Sequence, residues 1–283
     1  MIKSKTLKTV AVAAALAAAS GAASAADWSD TSIGYRYGNR FREPVDSKNI
    51  SKNIFSLTHV SGYKYGTNFF NVDLLMSSNS DPAVNGRGAQ EAYVVYRNTL
   101  DASKVWGHDM KWSIMRSWGM TFGFDWNTKN DAGYSSKKRM LVLGPTIMFD
   151  VPGFFNLSAL ALWESNDPTG NPQNGRYTYK THPMLTGAWG IPIGSLPLSY
   201  EGFFNIIAPK GKDEFGNGTK TEINFDSQIM LDAGSLVGGP KGTFKVGVEY
   251  QYWKNKFGND NSNPFFLNGA TAKTPMFRAE YHF

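Results

Sequence analysis

Hydrophobic and polar residues alternate with a period of two along most of the chain. In residues 117–127, large apolar side chains occupy every second position and small or polar side chains occupy the positions between them, and residues 222–231 and 243–253 repeat the pattern. Successive side chains of a β-strand point to opposite faces, whereas the 3.6-residue period of an amphipathic helix is missing from any long stretch. The pattern therefore predicts an all-β protein.

About twelve segments show this alternation, and most are near the ten residues that a tilted strand needs to cross a bilayer. The predicted strands are 30–38, 53–61, 67–77, 89–98, 117–127, 138–149, 154–164, 176–189, 198–207, 222–231, 243–253 and 275–283.

The connections between these segments fall into two groups. Short turns follow several even strands, at 62–66, 150–153 and 190–197, while two connections, 99–113 and 232–242, are longer than a tight turn. Long polar segments follow the odd strands: 78–88, 127–137, 165–175, 208–219 and 254–273. Long loops at one end and short turns at the other are typical of outer-membrane barrels.

A secreted β-sandwich would also alternate, so the character of each face decides between the two folds. The polar faces carry charges at mid-strand, and the apolar faces are bracketed by aromatic residues such as Trp118 with Trp126, as membrane interfaces require. The chain ends at Phe283, on an alternating aromatic strand, and we expect this residue to be read by the barrel-assembly machinery. In hydrocarbon every backbone N–H and C=O group must be hydrogen-bonded within the protein, so the sheet must close into a barrel without free edges. We predict a transmembrane antiparallel up-and-down β-barrel of about 12 strands.

The N-terminus predicts export. Three lysines, an apolar run and Ala23-Ser24-Ala25 form a secretory signal over residues 1–25, which leaves residues 26–283 as an outer-membrane barrel. The formal net charge of +6 falls to +3 without those lysines, which gives no electrostatic footprint for nucleic acid. With no cysteine, disulfide scaffolds, thiol catalysis and thiolate metal sites are excluded.

Short motifs suggest a family. The segment 91–97 is similar to a strand of Vibrio-type outer-membrane proteins of the same superfamily, and residues 139–208 resemble the Tsx-type nucleoside-specific channels of Gram-negative outer membranes. The matching motifs are Leu143-Gly144, Asp150-Val151-Pro152, Ile191-Pro192-Ile193 and Leu198-Ser199-Tyr200-Glu201-Gly202-Phe203-Phe204-Asn205. The resemblance implies a monomeric twelve-stranded barrel, a narrow pore lined by aromatic and ionisable residues, passive passage of nucleosides, and use as a phage receptor in some members.

With the aromatic faces outward, the polar faces predict a pore lining of mixed charge, so strong selection for anions or cations is not expected. Aromatic rings there can stack on a nucleobase, while carboxylates and amides accept from ribose hydroxyls. The candidate substrate-binding residues are Phe69, Asp73, Glu91, Tyr93, Arg97, Asp125, Glu201, Phe203, Asn205, Glu222 and Arg278. Lys180 is also placed on the pore side. The alternative is that these charges pair across the lumen and fill a narrow barrel.

The favoured function is passive diffusion of small hydrophilic solutes, nucleosides above all, through a barrel embedded in membrane lipid and lipopolysaccharide. Two alternatives remain open: a surface receptor or structural barrel without selective transport, and a lipase-like barrel enzyme. The four histidines include no i, i+4 pair, and no G-x-S-x-G or Walker-type motif occurs. We therefore expect no enzyme activity, no metal and no cofactor.

Overall fold

The computed structural model describes residues 26–46, 48–81, 88–130 and 133–283. The predicted signal peptide, residues 1–25, lies outside the described residues. Within the described ranges, no helix has both the length and the apolar character to cross a membrane.

Thirteen strands make up nearly all of the regular structure in the described ranges. They are β1 (Ala26–Phe41), β2 (Ile50–Tyr63), β3 (Gly66–Ser77), β4 (Gln90–Asp101), β5 (Met115–Lys129), β6 (Arg139–Phe149), β7 (Phe154–Asn166), β8 (Tyr177–Thr178), β9 (His182–Pro192), β10 (Leu198–Ile207), β11 (Glu222–Asp232), β12 (Phe244–Lys254) and β13 (Thr271–His282). Short helices cover Ala102–Trp106 and Ala233–Leu236, and 3₁₀ turns cover Lys256–Gly258 and Pro264–Phe266.

The sheet closes on itself. Each long strand pairs antiparallel with its neighbours in sequence, β1 pairs with β13, and β6 pairs with β7 where the linear strand order would otherwise end. The two-residue β8 pairs only with the end of β7, so twelve strands form the barrel and β8 is an addition at its rim. The predicted fold class and strand number are confirmed.

One predicted strand is divided. The segment 176–189 contains β8 and then the start of β9, because the chain between them leaves the β7 ladder: the Lys180 N–H donates to the carbonyl of Lys210, 3.1 Å away, in the loop after β10. Lys180 therefore lies in a loop and is exposed, and its placement on the pore side was wrong.

The two connections that fitted poorly both contain a short helix at the end of the barrel that carries the short turns. Asp101 caps the first of these helices by accepting a hydrogen bond from the Ser103 N–H at 3.0 Å, and Gly107 ends it in the left-handed region at φ 68°. Asp232 caps the second by accepting from Ser235 N–H at 3.2 Å. Residues 99–113 and 232–242 are thus longer than a tight turn because each folds into a capped helical turn.

The barrel has an apolar exterior, and its interior combines charged side chains with buried apolar ones. Large side chains such as Ile33, Phe122, Leu141 and Val248 are exposed, while charged side chains at alternate positions of the same strands are buried. This distribution is the reverse of a water-soluble sandwich, which buries its apolar face. The outer surface is therefore suited to acyl chains, and the charged side chains surround the lumen.

Candidate functional site: the barrel lumen

Arg36 lies on the inner face of the barrel wall and reaches over one strand on either side. Its guanidinium lies 2.5 Å from the Asp73 carboxylate and 3.3 Å from that of Glu249. Arg36 is on β1, which pairs with β2 and β13, whereas Asp73 is on β3 and Glu249 is on β12. Contacts between strands that are not neighbours on the sheet can form only through the lumen, so this face of the strands points inward.

A second guanidinium extends the same cluster. Arg278 lies 2.8 Å from Glu249 and 2.5 Å from Glu280, and it donates to the Gln228 side chain at 2.9 Å. Because Glu249 accepts from both arginines, it joins their ion pairs into one unit. We call Arg36, Asp73, Glu249, Arg278 and Glu280 the arginine network.

A smaller cluster lies on the part of the wall formed by β4 and β5. Arg97 is 2.5 Å from Asp125, which also accepts a hydrogen bond from the Tyr93 hydroxyl at 2.8 Å. Nearby, the Asn127 amide donates to the Glu91 carboxylate at 2.5 Å. On this wall Arg97 therefore compensates the charge of Asp125, whereas Glu91 is held by an uncharged amide.

A third cluster surrounds Glu164 on β7. Its carboxylate is 4% exposed and lies 2.7 Å from the ammonium of Lys210, 3.3 Å from that of Lys138 and 3.6 Å from the His182 ring. Lys210 belongs to the loop after β10, so this loop enters the barrel to reach its partner. We call Glu164, Lys138, Lys210 and His182 the lysine network.

The loop after β10 is fixed a second time by Glu214, which is 2% exposed. The Tyr179 hydroxyl donates to this carboxylate at 2.6 Å, and the Tyr134 hydroxyl also donates to it. Burial, followed by the Glu214 charge, raises the pKa of Tyr179 and of Tyr134. Both phenols therefore stay protonated, and keep donating to Glu214, at pH values where an exposed tyrosine ionises.

Two phenylalanines are exposed on the inward strand faces, which also carry a buried apolar cluster, Met140, Val142, Leu160, Leu162, Met184 and Ile207. Phe69 is paired with Arg97 and shares its strand face with Asp73, and Phe203 shares its strand face with Glu201. Their side chains are 37% and 36% exposed. Because both point inward, their exposure requires open, water-accessible space in the lumen beside them.

The two rings belong to opposite walls, because β3 and β10 are the third and the ninth of the twelve barrel strands. A path that steps from each residue to its paired residue on the next strand returns to the first strand about 16 residues from where it began. This offset, the shear of the barrel, reflects the tilt of the strands to the barrel axis. When this offset is taken into account, the positions of Phe69 and Phe203 along the barrel axis differ by about two residues. They therefore bound the same section of the lumen from two sides.

The predicted pore residues all occupy the inward strand face, but the structure divides them among several contacts. Asp73 and Arg278 belong to the arginine network, and Glu91, Tyr93, Arg97 and Asp125 lie together on β4 and β5. Glu201 is 3.6 Å from Lys245, and Glu222 accepts from the Trp253 indole at 2.7 Å. Asn205 follows Phe203 on the same face of β10, opposite Asn224, whose buried side-chain oxygen has no hydrogen-bond partner within the described part of the chain.

Some residues that shape the lumen could not be found from strand patterns. Lys210 and Glu214 come from a polar loop, where nothing in the sequence indicates that the loop turns inward. Glu43, in the loop after β1, is likewise buried between the ammonium groups of Lys52 at 2.7 Å and Lys256 at 3.2 Å. Burial alone would raise the pKa of Glu43, but the two lysines hold it well below its ordinary value. Arg36 and Glu249, in contrast, occupy the polar positions of alternating strands, so the sequence pattern indicates that both face the lumen.

In the described part of the chain, no group of three or more histidine, aspartate or glutamate side chains is arranged to hold a metal ion. Several lumen carboxylates, such as Asp73 and Glu164, pair instead with guanidinium or ammonium groups, whereas Glu91 and Glu222 accept hydrogen bonds from uncharged side chains. The inner wall therefore carries ion pairs of both signs together with two exposed aromatic rings.

The chain matches no protein-family model and no curated protein. Among solved structures, it is similar to the KdgM porin at 10% identity and a TM-score of 0.43, with 89% of this chain and 99% of that chain covered. It is also similar to the NanC porin, at 11% identity and a TM-score of 0.42, with 90% and 99% covered. A third similar structure is OccK7 (OpdD) of Pseudomonas aeruginosa, at 10% identity and a TM-score of 0.39, with 90% of this chain and 99% of that chain covered.

A closed antiparallel barrel, with apolar side chains on its outer wall and ion pairs inside, satisfies every requirement of a strand-built membrane span. The long loops at one end and the short turns at the other add the asymmetry of bacterial outer-membrane proteins. The chain is an integral outer-membrane β-barrel.

Proposed function

We propose that the protein is a channel for the passive diffusion of small hydrophilic solutes, and that nucleosides are its preferred solutes. The observation that carries the proposal is the exposure of Phe69 and Phe203 inside the barrel. A barrel packed solid with side chains would bury both rings. Open space next to aromatic faces suits a solute that has one apolar, planar part.

The charges of the lumen favour a neutral solute. Arg36, Arg97 and Arg278 all lie within 2.5 Å of a carboxylate, so no ring of a single sign is available to select ions. A nucleoside is uncharged, its base can stack on a phenylalanine ring for about 1–3 kcal/mol, and its ribose hydroxyls can donate to carboxylates and amides. Weak contacts of this kind allow release as well as entry.

The experiment compares the flux of a labelled nucleoside with that of a hexose through the purified protein in liposomes. The test variant is Phe69→Ala with Phe203→Ala, and the matched control is Phe122→Ala, which removes the same ring from the outer wall. We expect the nucleoside to pass faster than the hexose in the wild type and in the control. In the test variant the two rates should become equal. Equal rates in the wild type would refute the preference for nucleosides.

A surface receptor barrel, for example for phage, is the second candidate, and the buried side chain of Glu214 favours it. The hydrogen bonds that Tyr134 and Tyr179 donate to this carboxylate join three loops at one end of the barrel into one ordered surface. Single-channel recording separates the two functions. A channel gives small conductance steps that nucleosides reduce, whereas a receptor barrel closed by its loops gives none.

A further inference from the structure

A basic groove lies at the end of the barrel that carries the long loops, between the end of β1 and the start of β13. It has a volume of about 550 Å³ and is lined by Arg40, Arg42 and Lys273 together with Asn49, Asn261 and Asn268. Thr271 completes the lining. We call these residues the rim groove.

The rim groove opens to the outside of the barrel. On β13, Thr271 and Lys273 alternate with Ala272 and Thr274, which are 1% and 0% exposed and face the interior. Lys273 itself is exposed. Because side chains alternate along a strand, the groove belongs to the outer wall and not to the lumen.

The groove lies just beyond the apolar belt. Tyr37 and Phe277 are paired across β1 and β13 and are exposed on the outer wall. Lys273 lies four residues before Phe277 on β13, which is about 13 Å closer to the end of the barrel that carries the long loops. A lipid whose acyl chains lie against Tyr37 and Phe277 would therefore bring its headgroup to the groove.

The positive charges of the groove have no acidic partner among the described residues. In the described ranges, no carboxylate lies within ion-pair distance of Arg40, Arg42 or Lys273; Arg42 donates only to the Asn49 side chain, at 3.2 Å. Glu43, next in sequence, is turned inward to Lys52 and Lys256. The groove thus differs from the lumen, where every arginine is paired.

Two polar atoms in the groove also lack partners. The hydroxyl of Thr271 and the side-chain carbonyl of Asn261 are buried without a hydrogen bond from any residue that the structure describes. A buried polar group without a partner costs about 1–3 kcal/mol, which a bound polar ligand would recover. The Thr271 hydroxyl can donate to an anionic oxygen, as can the Asn261 amide once it is rotated.

We propose that the rim groove binds the phosphate group of a phosphorylated glycolipid of the outer leaflet. Guanidinium groups pair with phosphate through two parallel hydrogen bonds, and an ammonium adds a third positive charge. The position above the aromatic pair selects a phosphate attached to acyl chains over a free phosphate ion. The site is separate from the lumen, so it stands or falls independently of the proposed transport.

The test measures retention of a bisphosphorylated hexaacyl glucosamine disaccharide by the full-length purified protein, using native mass spectrometry in detergent. The test variant is Arg40→Ala with Lys273→Ala. The matched control is Lys64→Ala with Lys241→Ala, which removes the same charge from the opposite end of the barrel. Heat-modified mobility in gels confirms that each variant is folded.

We expect the wild type and the control to retain the glycolipid equally, and the test variant to bind it at least tenfold more weakly. The dephosphorylated glycolipid should bind the wild type as weakly as the variant. Inorganic phosphate at the same concentration should not displace the lipid. Equal retention by both variants, or displacement by inorganic phosphate, would overturn the assignment.

Discussion

Replacing Arg36 by methionine tests whether the arginine network balances the charge of the lumen. The side chain stays unbranched and flexible but is shorter and loses the guanidinium that holds Asp73 at 2.5 Å and Glu249 at 3.3 Å. Glu249 keeps its contact with Arg278 at 2.8 Å, whereas Asp73 keeps only the hydrogen bond from the Asn71 amide at 3.1 Å. Asp73 therefore becomes an uncompensated negative charge facing the lumen.

Both the selectivity and the stability of the barrel should change. A unit charge about 4 Å from a passing ion contributes about 1 kcal/mol in bulk water, which is about a fivefold change in the permeability ratio toward cations. Breaking a fully buried ion pair costs about 3–5 kcal/mol. Asp73 is 18% exposed to the lumen, so we expect a smaller loss, of about 2 kcal/mol, in the free energy of unfolding.

The selectivity is measured as the reversal potential in planar bilayers across a potassium chloride gradient, and the stability by urea unfolding in lipid vesicles. The control is Arg36→Lys, which keeps the charge but loses the planar fork, so it should lower stability while leaving the selectivity near that of the wild type. The shift of Arg36→Met should shrink at 1 M salt, where the Debye length falls to about 3 Å. If Arg36→Met left the reversal potential unchanged at low salt, the lumen would not conduct past this network.

Two further predictions concern the buried carboxylates. Glu164→Gln leaves Lys138 and Lys210 without a counter-charge and should lower the free energy of unfolding in urea by about 3–5 kcal/mol. The control Asp150→Asn breaks an exposed ion pair with Lys111 and should lower it by less than about 1 kcal/mol. Equal losses for the two variants would contradict the idea that burial makes the Glu164 ion pairs costly to break. The pKa of Glu43 is lower in the folded protein than its unfolded value of 4.5, so the stability that Glu43 contributes is present above pH 4.5 and is lost as the pH falls from there through the folded pKa. Below pH 4.5, the urea midpoint of the wild type should therefore decrease by more than that of Glu43→Gln.

The strand pattern was sufficient to predict the fold because a barrel wall imposes it at every position. A residue such as Phe122 faces lipid and its neighbour Gly123 faces the lumen, and a shift of one residue would exchange the two environments. Alternation over about ten residues therefore predicted the twelve strands, the class of protein and the inward direction of residues such as Asp73 and Glu201. The interruption after Thr178 was missed because it depends on a hydrogen bond between Lys180 and the distant Lys210.

Which inward residues meet was decided only by the tertiary structure. Strand periodicity gives a direction for each side chain but no height, and height depends on the tilt of twelve paired strands together. For this reason the sequence could nominate Phe69 and Phe203 without indicating that they lie on opposite walls at nearly one level.

The loops show the same division. Their polar composition predicted surface segments, yet Lys210, Glu214 and Glu43 are buried because the closed barrel offers each a partner of opposite charge or a hydrogen-bond donor. A buried charge is stable only when such a partner lies within a few ångströms. That distance is set by strands remote in the chain, so it is a property of the folded barrel and not of any local segment of sequence.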